Sequence, residues 1–283
     1  MSLRDAFAPE VEALLQTWDM KPDGALVTTR SSWVLPVRQN AICAILKVAR
    51  IADERRGYEL MCWWDGAGAA RVLASAENAL LLERATGRRD LAEMARSGQD
   101  DEACRILCEA AIRLHTPRLG PLPDLHPLEV WFQPLFDLAD QHACLAKAAG
   151  TARRLLSEAR CILPLHGDLH HENVLDFGER GWLAIDPHGL LGERVFDFAN
   201  IFTNPDLSDP TRPVGTLPGR LESRLKIVVE TAQVEPSRML QWIVAWTGLS
   251  AAWFIADGND KGAAIDLTIN GIACMLLGPS ARV

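Results

Sequence analysis

The chain has 283 residues, of which 48% are hydrophobic and 23% are charged, and its formal net charge is −8. A chain of this length can bury a sizeable core without disulfides or metals. The negative charge and the lack of a Lys/Arg-rich stretch argue against a nucleic-acid partner and favour a cationic ligand.

The N-terminus, the cysteines and one apolar stretch together predict a reduced, cytoplasmic protein. Residues 1–9 have no apolar core, so we expect no signal peptide. The seven cysteines include no Cys-x-x-Cys pair and are predicted to be buried thiols, although the spacing of Cys104 and Cys108 would also suit a metal. Residues 239–256 carry no charge, but polar residues and one face of tryptophans predict a buried helix and no membrane span.

The first part of the chain is rich in strand patterns. Residues 5–19 predict an amphipathic helix whose apolar side includes Phe7, Val11 and Trp18. After it, alternating and β-branched runs separated by turn residues predict five strands with one helix between the third and the fourth. The predicted strands lie at 25–29, 33–38, 41–49, 71–74 and 79–83, and the helix at 53–64.

The second part of the chain is mainly helical. Helical periodicity dominates from about residue 100, where Asp100 or Asp101 would cap a helix that runs to His115. The change of pattern predicts an α+β protein with an N-terminal lobe of residues 1–85 and a C-terminal lobe of residues 86–283.

The residues that carry chemistry are concentrated between β-prone segments in the middle of the chain. Asp168 and Asn173 are five residues apart in a loop, and Asp186 follows soon after. Two short strands, at 174–177 and 182–185, are joined by a connection with two glycines, which suits a β-hairpin. The hairpin would return Asp186 close to Asn173, so that three oxygen-bearing side chains could hold Mg²⁺ together with substrate phosphates.

This order of residues matches the machinery of phosphoryl transfer. In that machinery a loop aspartate accepts the hydroxyl proton, an asparagine five residues later holds one metal, and a later aspartate also binds metal. A lysine on the third strand, paired with a helix glutamate, contacts the nucleotide. Lys47 lies near the end of the third predicted strand, and the next helix offers Glu54 and Glu59.

These motifs resemble the aminoglycoside/hydroxyurea antibiotic-resistance kinases, a family that includes streptomycin 6-phosphotransferases. The resemblance implies a protein-kinase-like, two-lobed α+β fold, with a five-stranded antiparallel sheet in the N-terminal lobe and a mainly helical C-terminal lobe. It extends from about residue 25 to residue 205 and depends on the joint spacing of several segments. These segments are Ser32-Trp-Val-Leu-Pro36, Ala44-Ile-Leu-Lys47-Val48, Trp64-Asp-Gly-Ala-Gly-Ala69, Ala79-Leu-Leu-Leu-Glu-Arg84, His166-Gly-Asp-Leu-His-His-Glu-Asn173, Ile185-Asp-Pro187 and the run from Pro187 to Asn200.

The resemblance implies a role for each residue of the catalytic loop. Asp168 resembles the catalytic base, and Asn173 and Asp186 resemble the Mg²⁺ ligands. Asp197 resembles the buried aspartate that supports the catalytic loop. Only ten residues separate Asp186 from Asp197, so a protein-kinase activation segment has no room and a small-molecule acceptor is expected.

The resemblance also implies an ATP site in the N-terminal lobe. Lys47 resembles the lysine that contacts the α- and β-phosphates, and Glu59 is its predicted partner because it precedes the Trp-Asp-Gly motif, with Glu54 in reserve. The segment from Glu83 to Ala85 resembles the hinge whose backbone would bind adenine.

The predicted phosphate-covering turn, residues 28–32, departs from the usual pattern because it has no glycine. We expect Ser31 and Ser32 to cover the phosphates there through their hydroxyls and backbone N–H groups.

The acceptor implied by the resemblance is streptomycin or a related aminocyclitol, which is a small, hydroxylated and cationic molecule. A polycation needs carboxylates in its cleft, and the chain has 37 acidic against 29 basic residues. A metabolic sugar or amino alcohol would need similar machinery and stays open as an alternative. The acidic residues predicted to bind the acceptor are Asp137, Asp140, Glu172, Glu193, Asp206, Asp257 and Asp260.

Two further interpretations of the same residues stay open. His166, His170, His171 and His188, with the two site aspartates, could form a metallohydrolase centre. That interpretation leaves the lysine and the strand-rich section unexplained, so we expect His166 to fix the loop and His170 and His171 to be partly exposed. An inactive binding module on the same fold is the other alternative.

Overall fold

The computed structural model describes residues 8–278, and its N-terminal part is built on one antiparallel sheet. The strands are β1 Lys21–Pro22, β2 Val27–Thr28, β3 Ser32–Gln39, β4 Ile42–Ala49, β5 Val72–Ala76 and β6 Ala79–Glu83. They lie in the order β1-β3-β4-β6-β5, with β2 also paired to β3. The sequence predicts five of these strands, and the sixth arises because Lys21–Pro22 pairs with Val37 and Arg38 at the sheet edge.

Alternating burial along β4 determines which way its side chains point. Leu46 and Val48 are fully buried in a small core with α1 (Pro9–Thr17). Lys47 lies between them and therefore projects from the opposite face of the sheet. The predicted first helix is present from Pro9, and residues 5–7, with Phe7, lie outside the described residues.

Helix α2 (Glu54–Trp64) approaches the C-terminal part of the chain very closely. A Cβ on Gly57 would lie 2.0 Å from the carbonyl oxygen of Pro187, which no packing adjustment could tolerate. A Cβ on Gly189 would likewise lie 2.6 Å from the carbonyl carbon of Arg56. Because these two glycines have no side chain, α2 can pack directly against the segment that follows Asp186.

The C-terminal part is mainly helical, as the sequence predicts. Its α-helices are α3 Leu91–Met94, α4 Asp100–Leu114, α5 Leu128–Trp131, α6 Gln133–Ala139, α7 Ala146–Ser157, α8 Arg220–Ala232, α9 Pro236–Ala256 and α10 Asp260–Leu277. By length and composition α9 could cross a membrane, but 72% of its apolar window is buried inside the protein. It packs against α7 and α10, which confirms the predicted buried helix.

Five short strands complete the C-terminal part and shape its central loop. They are β7 His126–Pro127, β8 Ile162–Leu165, β9 Val174–Asp176, β10 Trp182–Ala184 and β11 Leu190–Glu193. β9 and β10 form the predicted antiparallel hairpin, with Val174 opposite Ala184. The hairpin continues into a hydrogen bond from the Ile185 N–H to the Asn173 carbonyl oxygen at 2.9 Å, which brings Asp186 beside Asn173.

Two of the acidic residues predicted to bind the acceptor instead hold the C-terminal core together. Glu193 is 2% exposed, and its carboxylate accepts two hydrogen bonds from Arg238 at 2.6 and 2.9 Å. Asp206 is 1% exposed and accepts the backbone N–H groups of Val214, Gly215 and Thr216. The acceptor role predicted for both is wrong, because neither carboxylate is free to meet a ligand.

All seven cysteines are free thiols in the structure, and a reduced state in the cell stays a prediction. Cys104 and Cys108 are buried on α4, but Cys62, Cys144 and Cys161 are exposed, so the predicted burial is wrong for these three. The residues that the structure describes contain no cluster of three or more His, Cys, Asp or Glu side chains suited to a metal.

Asp266 on α10 is a fully buried carboxyl group that the catalytic site does not use. Burial raises its pKa well above the ordinary value, and the Ser250 hydroxyl offsets this effect only in part. The folded protein therefore keeps a proton on Asp266 at a pH where the unfolded chain releases it. Because the unfolded state binds fewer protons, this group lowers stability increasingly as the pH rises above about 4.

We therefore expect Asp266→Asn, which resembles the protonated acid in shape, to stabilise the protein in a pH-dependent way. The free energy of unfolding should rise by about 1–2 kcal/mol at pH 8 and change little at pH 4. Urea unfolding at the two pH values measures the difference, with Asp137→Asn on the exposed side of α6 as the control. Equal effects at both pH values would show that Asp266 is not protonated in the folded state.

Candidate active site

The catalytic loop, residues 166–173, joins β8 to β9 and is anchored by one buried carboxylate. Asp197 accepts the N–H of His166 at 3.0 Å and the N–H of Gly167 at 2.8 Å. His115 Nε2, at the end of α4, lies 2.8 Å from the same carboxylate. These contacts fit the support role predicted for Asp197, whereas the sequence gives no local spacing that points to His115.

Asp168 lies in this loop with its carboxylate held from three sides. Asn200 Nδ2 donates to one oxygen at 2.7 Å, and Asn173 Nδ2 donates to the other at 2.9 Å. His170 Nε2 lies 3.4 Å from the second oxygen. The carboxylate keeps 31% of its side-chain surface exposed, so it is fixed in position yet open to an incoming hydroxyl.

The surroundings of Asp168 keep it ionised. Burial raises its pKa, but His170, His188 and His166 outweigh burial, and the pKa falls well below its usual range. The pKa of His170 shifts the other way: burial lowers it, and the Asp168 carboxylate more than compensates and raises it. An ionised carboxylate that is only partly solvated is a hydrogen-bond acceptor for a hydroxyl at neutral pH.

The histidines of the loop do not form a metal centre. His166 is fully buried, with Nε2 2.8 Å from the Ile185 carbonyl oxygen and Nδ1 accepting the Asp168 N–H at 3.2 Å. This arrangement confirms the predicted structural role of His166. His171 is only 2% exposed, so the expectation of partial exposure is wrong for it, and the metallohydrolase interpretation loses two of its four histidine ligands.

Asn173 and Asp186 present oxygen atoms to one space beside Asp168. Because Asn173 Nδ2 donates to Asp168, its Oδ1 points away, and across residues 8–278 no donor bonds that oxygen. Asp186 adopts a left-handed backbone with φ of 61° and exposes about 46% of its side chain. A free amide oxygen and a carboxylate are ligands that fit Mg²⁺.

Lys47 connects this space to the N-terminal sheet. Its Nζ donates to Glu54 Oε2 at 2.6 Å and also to the Asp186 carboxylate, and the lysine side chain is 8% exposed. Burial raises the pKa of Glu54, but the Lys47 ammonium outweighs burial and the net pKa is lowered. Glu54 therefore stays ionised at neutral pH.

The choice of Glu59 as the partner of Lys47 is wrong, and helix geometry explains why. Glu54 lies on the same face of α2 as Tyr58, whose ring centre is 5.4 Å from Lys47 Nζ. Glu59 is five residues after Glu54, a rotation of about 140° around the helix, and it is exposed to solvent. The position of a glutamate relative to the Trp-Asp-Gly motif does not reveal on which face of α2 it lies.

The predicted hinge offers backbone groups and not a side chain. The Glu83 carboxylate is already engaged by the Arg71 N–H at 2.5 Å and by Arg180. The Ala85 N–H donates to no acceptor within residues 8–278. This leaves a backbone donor available at the position where the resemblance implies adenine contacts.

The turn between β2 and β3 is folded inward. Ser32 is fully buried, and its N–H donates to Thr29 Oγ1 at 2.9 Å. The hydroxyls of Ser31 and Ser32 both help to lower the pKa of Glu54. In this conformation Ser32 offers neither group to a phosphate, and contact by the partly exposed Ser31 stays a prediction.

The family model described as aminoglycoside/hydroxyurea antibiotic resistance kinase matches residues 17–258 of the chain. The chain belongs to this family. It is 68% identical over 265 residues to a streptomycin 3''-kinase of Klebsiella pneumoniae, covering 93% of this chain and 100% of the relative. It is 29% identical over 262 residues to a streptomycin 6-kinase of Streptomyces griseus, covering 88% and 83%.

Solved structures confirm the protein-kinase-like fold of this kinase. The aminoglycoside phosphotransferase APH(4)-Ia superposes with a TM-score of 0.65 at 16% identity, covering 94% of this chain and 97% of that one. An ethanolamine kinase of Plasmodium vivax also gives a TM-score of 0.65, at 12% identity, covering 99% and 93%. Kinases with different acceptors thus share the architecture, and the acceptor must be inferred from the site.

The segment after Asp186 in this kinase is short and fully structured. The ten residues between Asp186 and Asp197 include β11 and the beginning of a 3₁₀ stretch from Arg194 to Phe202. β11 pairs with both β7 and β8, so the segment is held in the C-terminal core. It offers no long loop on which a peptide could dock.

The two glutamates of α2 allow a matched test of the ion pair between Lys47 and Glu54. We expect Glu54→Gln to lower kcat/KM for ATP by about 10- to 100-fold, because Lys47 loses the charge that positions it. Glu59→Gln, on the solvent side of the same helix, should stay within about twofold of the wild type. Steady-state kinetics with varied ATP provides the measurement, and equal effects of the two changes would refute the assigned pair.

Proposed function

We propose that this kinase transfers the γ-phosphoryl group of ATP to a hydroxyl of streptomycin, with the 3''-hydroxyl as acceptor. The observation that carries the phosphotransferase chemistry is the ionised Asp168 carboxylate, fixed by two asparagine amides beside the Lys47–Asp186 contact. The acceptor is supported by the full-length similarity to a streptomycin 3''-kinase, which is much higher than the similarity to a 6-kinase.

In the proposed reaction Asp168 accepts a hydrogen bond from the acceptor hydroxyl and orients its oxygen toward the γ-phosphorus. The bond from this oxygen to phosphorus forms while the bond to the leaving oxygen of ADP breaks, and the hydroxyl proton passes to Asp168 late. Lys47 neutralises charge on the α- and β-phosphates. Asn173 Oδ1 and the Asp186 carboxylate would hold Mg²⁺, which supplies positive charge at the β- and γ-phosphates when bound.

The nucleotide is proposed to lie between an N-terminal lobe, residues 1–85, and a C-terminal lobe, residues 86–283. The adenine would contact the backbone from Glu83 to Ala85, where a free N–H is present. The reaction consumes ATP, which is a cytoplasmic metabolite, so we place the enzyme in the cytoplasm. A cationic acceptor also suits the net charge of −8.

The test is a coupled ADP-release assay of the purified protein with streptomycin, other aminoglycosides, neutral sugars and amino alcohols. We expect streptomycin to give the highest kcat/KM, and phosphorus–proton correlation NMR to place the product phosphate on the 3''-oxygen. Phosphate on the 6-oxygen would overturn the 3''-hydroxyl as the proposed site of transfer. A preference for sugars or amino alcohols would overturn streptomycin as the proposed acceptor. Expression in a streptomycin-sensitive bacterium should confer resistance.

A further inference from the structure

Three aromatic side chains form a continuous strip on the C-terminal part of the molecule. Trp131 on α5 packs against His188 with ring centres 4.9 Å apart and against Trp253 on α9 with ring centres 5.4 Å apart. We call these three residues the aromatic strip. Trp131 and Trp253 are partly exposed and His188 is exposed, unlike the tryptophan beneath them, Trp246, which is 5% exposed.

The aromatic strip begins beside the catalytic loop. His188 is two residues after Asp186, and its N–H donates to the carbonyl oxygen of His166 in the catalytic loop at 2.7 Å. An acceptor whose hydroxyl meets Asp168 would therefore extend past His188 and onto the tryptophans.

A carboxylate stands at the far end of the strip. The Asp257 N–H donates to the Trp253 carbonyl oxygen at 3.0 Å, so the two side chains are one helical turn apart on the same side of α9. Asp257 already binds a guanidinium group, because Arg30 Nη1 from the β2–β3 turn lies 3.2 Å from its Oδ2. Both members of this pair are well exposed, at 87% and 57% of their side-chain surface.

A purely structural role explains this arrangement less well. The aromatic residues that build the core here, such as Phe196 and Trp242, are almost completely buried. Leaving two neighbouring tryptophans partly in water beside an exposed carboxylate costs hydrophobic free energy, whereas the same pattern is suited to binding a planar cation. Streptomycin carries guanidinium groups on a ring separate from the one that bears the 3''-hydroxyl.

We propose that the aromatic strip and Asp257 form the subsite for a guanidinium group of the acceptor. The guanidinium would stack on Trp253 and Trp131 and pair with Asp257 in place of Arg30, while the sugar hydroxyl reaches Asp168. This inference rests on the proposed function and adds the residues that select the acceptor. Trp253 and Asp257 are specificity residues that do not touch the nucleotide.

The first test removes the aromatic face of Trp253 and keeps an apolar side chain at this position. Trp253→Leu should raise the Kd of streptomycin about tenfold by isothermal titration calorimetry, and raise its KM similarly, because a cation–π contact is lost. Trp253→Phe should recover most of the affinity. The KM for ATP and the slow ATP hydrolysis without acceptor should stay within about twofold of the wild type.

The matched control is Trp63→Leu, which removes a partly exposed tryptophan that packs on Arg118, with 5.4 Å between the ring centre and the guanidinium carbon. It should leave the Kd of streptomycin unchanged. Asp257→Asn is a second test that does not depend on core packing. It should weaken binding about threefold at low ionic strength, and the difference should disappear at high salt because exposed charges are screened.

The outcomes separate this inference from the proposed function. If the wild type phosphorylates streptomycin but neither Trp253→Leu nor Asp257→Asn changes its Kd, the subsite is wrong and the proposed function stands. If the wild type binds streptomycin through Trp253 without phosphorylating it, the subsite stands and the proposed function fails. If the wild type does not bind streptomycin at all, both are overturned.

Discussion

Asp168→Ala should lower kcat for streptomycin by about 10³-fold, within the usual range for loss of a general base, and leave nucleotide affinity nearly unchanged. The carboxylate is the group proposed to align the hydroxyl, and two amides hold it in place at 2.7 and 2.9 Å. The residual rate should come from positioning and from charge neutralisation at the phosphates. Single-turnover kinetics and titration with a fluorescent ATP analogue measure the two quantities separately.

The control for this change is Glu179→Ala, which removes an exposed carboxylate from the 3₁₀ turn between β9 and β10. It should retain the kcat of the wild type. Near-normal turnover of Asp168→Ala would show that another group takes the proton. A large loss of ATP affinity would show that Asp168 mainly organises Asn173, to which it is hydrogen bonded.

Asp186→Ala should abolish the Mg²⁺ dependence of ATP binding and lower kcat/KM by more than about 10³-fold. Asp186 supplies the exposed carboxylate next to the free Asn173 oxygen, and it also contacts Lys47. The variant therefore removes both a proposed metal ligand and a contact partner of Lys47, the proposed phosphate-binding lysine. Calorimetric titration with ATP, with Mg²⁺ and with EDTA, gives the metal-dependent part of the affinity.

The corresponding control is again Glu179→Ala, which should bind ATP more tightly with Mg²⁺ than with EDTA, as the wild type does. An Asp186→Ala variant whose ATP affinity still rises with Mg²⁺ would assign the metal to other ligands. The Lys47–Glu54 contact does not involve Asp186, so the variant should keep its fold and its melting temperature close to that of the wild type.

The close approach of the proposed catalytic residues was predictable because their geometry is local. Asp168 and Asn173 are five residues apart, and a hairpin of known turn chemistry returns Asp186 to them. Strand alternation similarly places Lys47 on the face opposite Leu46. In each case a short-range rule of backbone geometry fixes where the side chain goes, so one sequence is sufficient.

The features that the sequence does not reveal depend on packing between distant segments. Asn200 holds Asp168 from 32 residues away, and His115 reaches Asp197 from 82 residues away. The choice between Glu54 and Glu59 depends on how α2 is rotated against the sheet. Glu193 and Asp206 look like surface acids in the sequence, and only the fold shows that buried donors already satisfy them.

The close contact between Gly57 and the Pro187 carbonyl has a consequence for inhibitors of this enzyme. An inward shift of α2 toward Pro187 is blocked by backbone atoms at a separation that leaves no space for a methyl group. Compounds that bind behind a regulatory helix need a pocket between that helix and the rest of the protein. Here no such space is present while α2 keeps its observed position, so these compounds would first have to displace the helix. Inhibitors that restore antibiotic sensitivity should instead be sought among molecules that compete directly for the nucleotide or for the antibiotic.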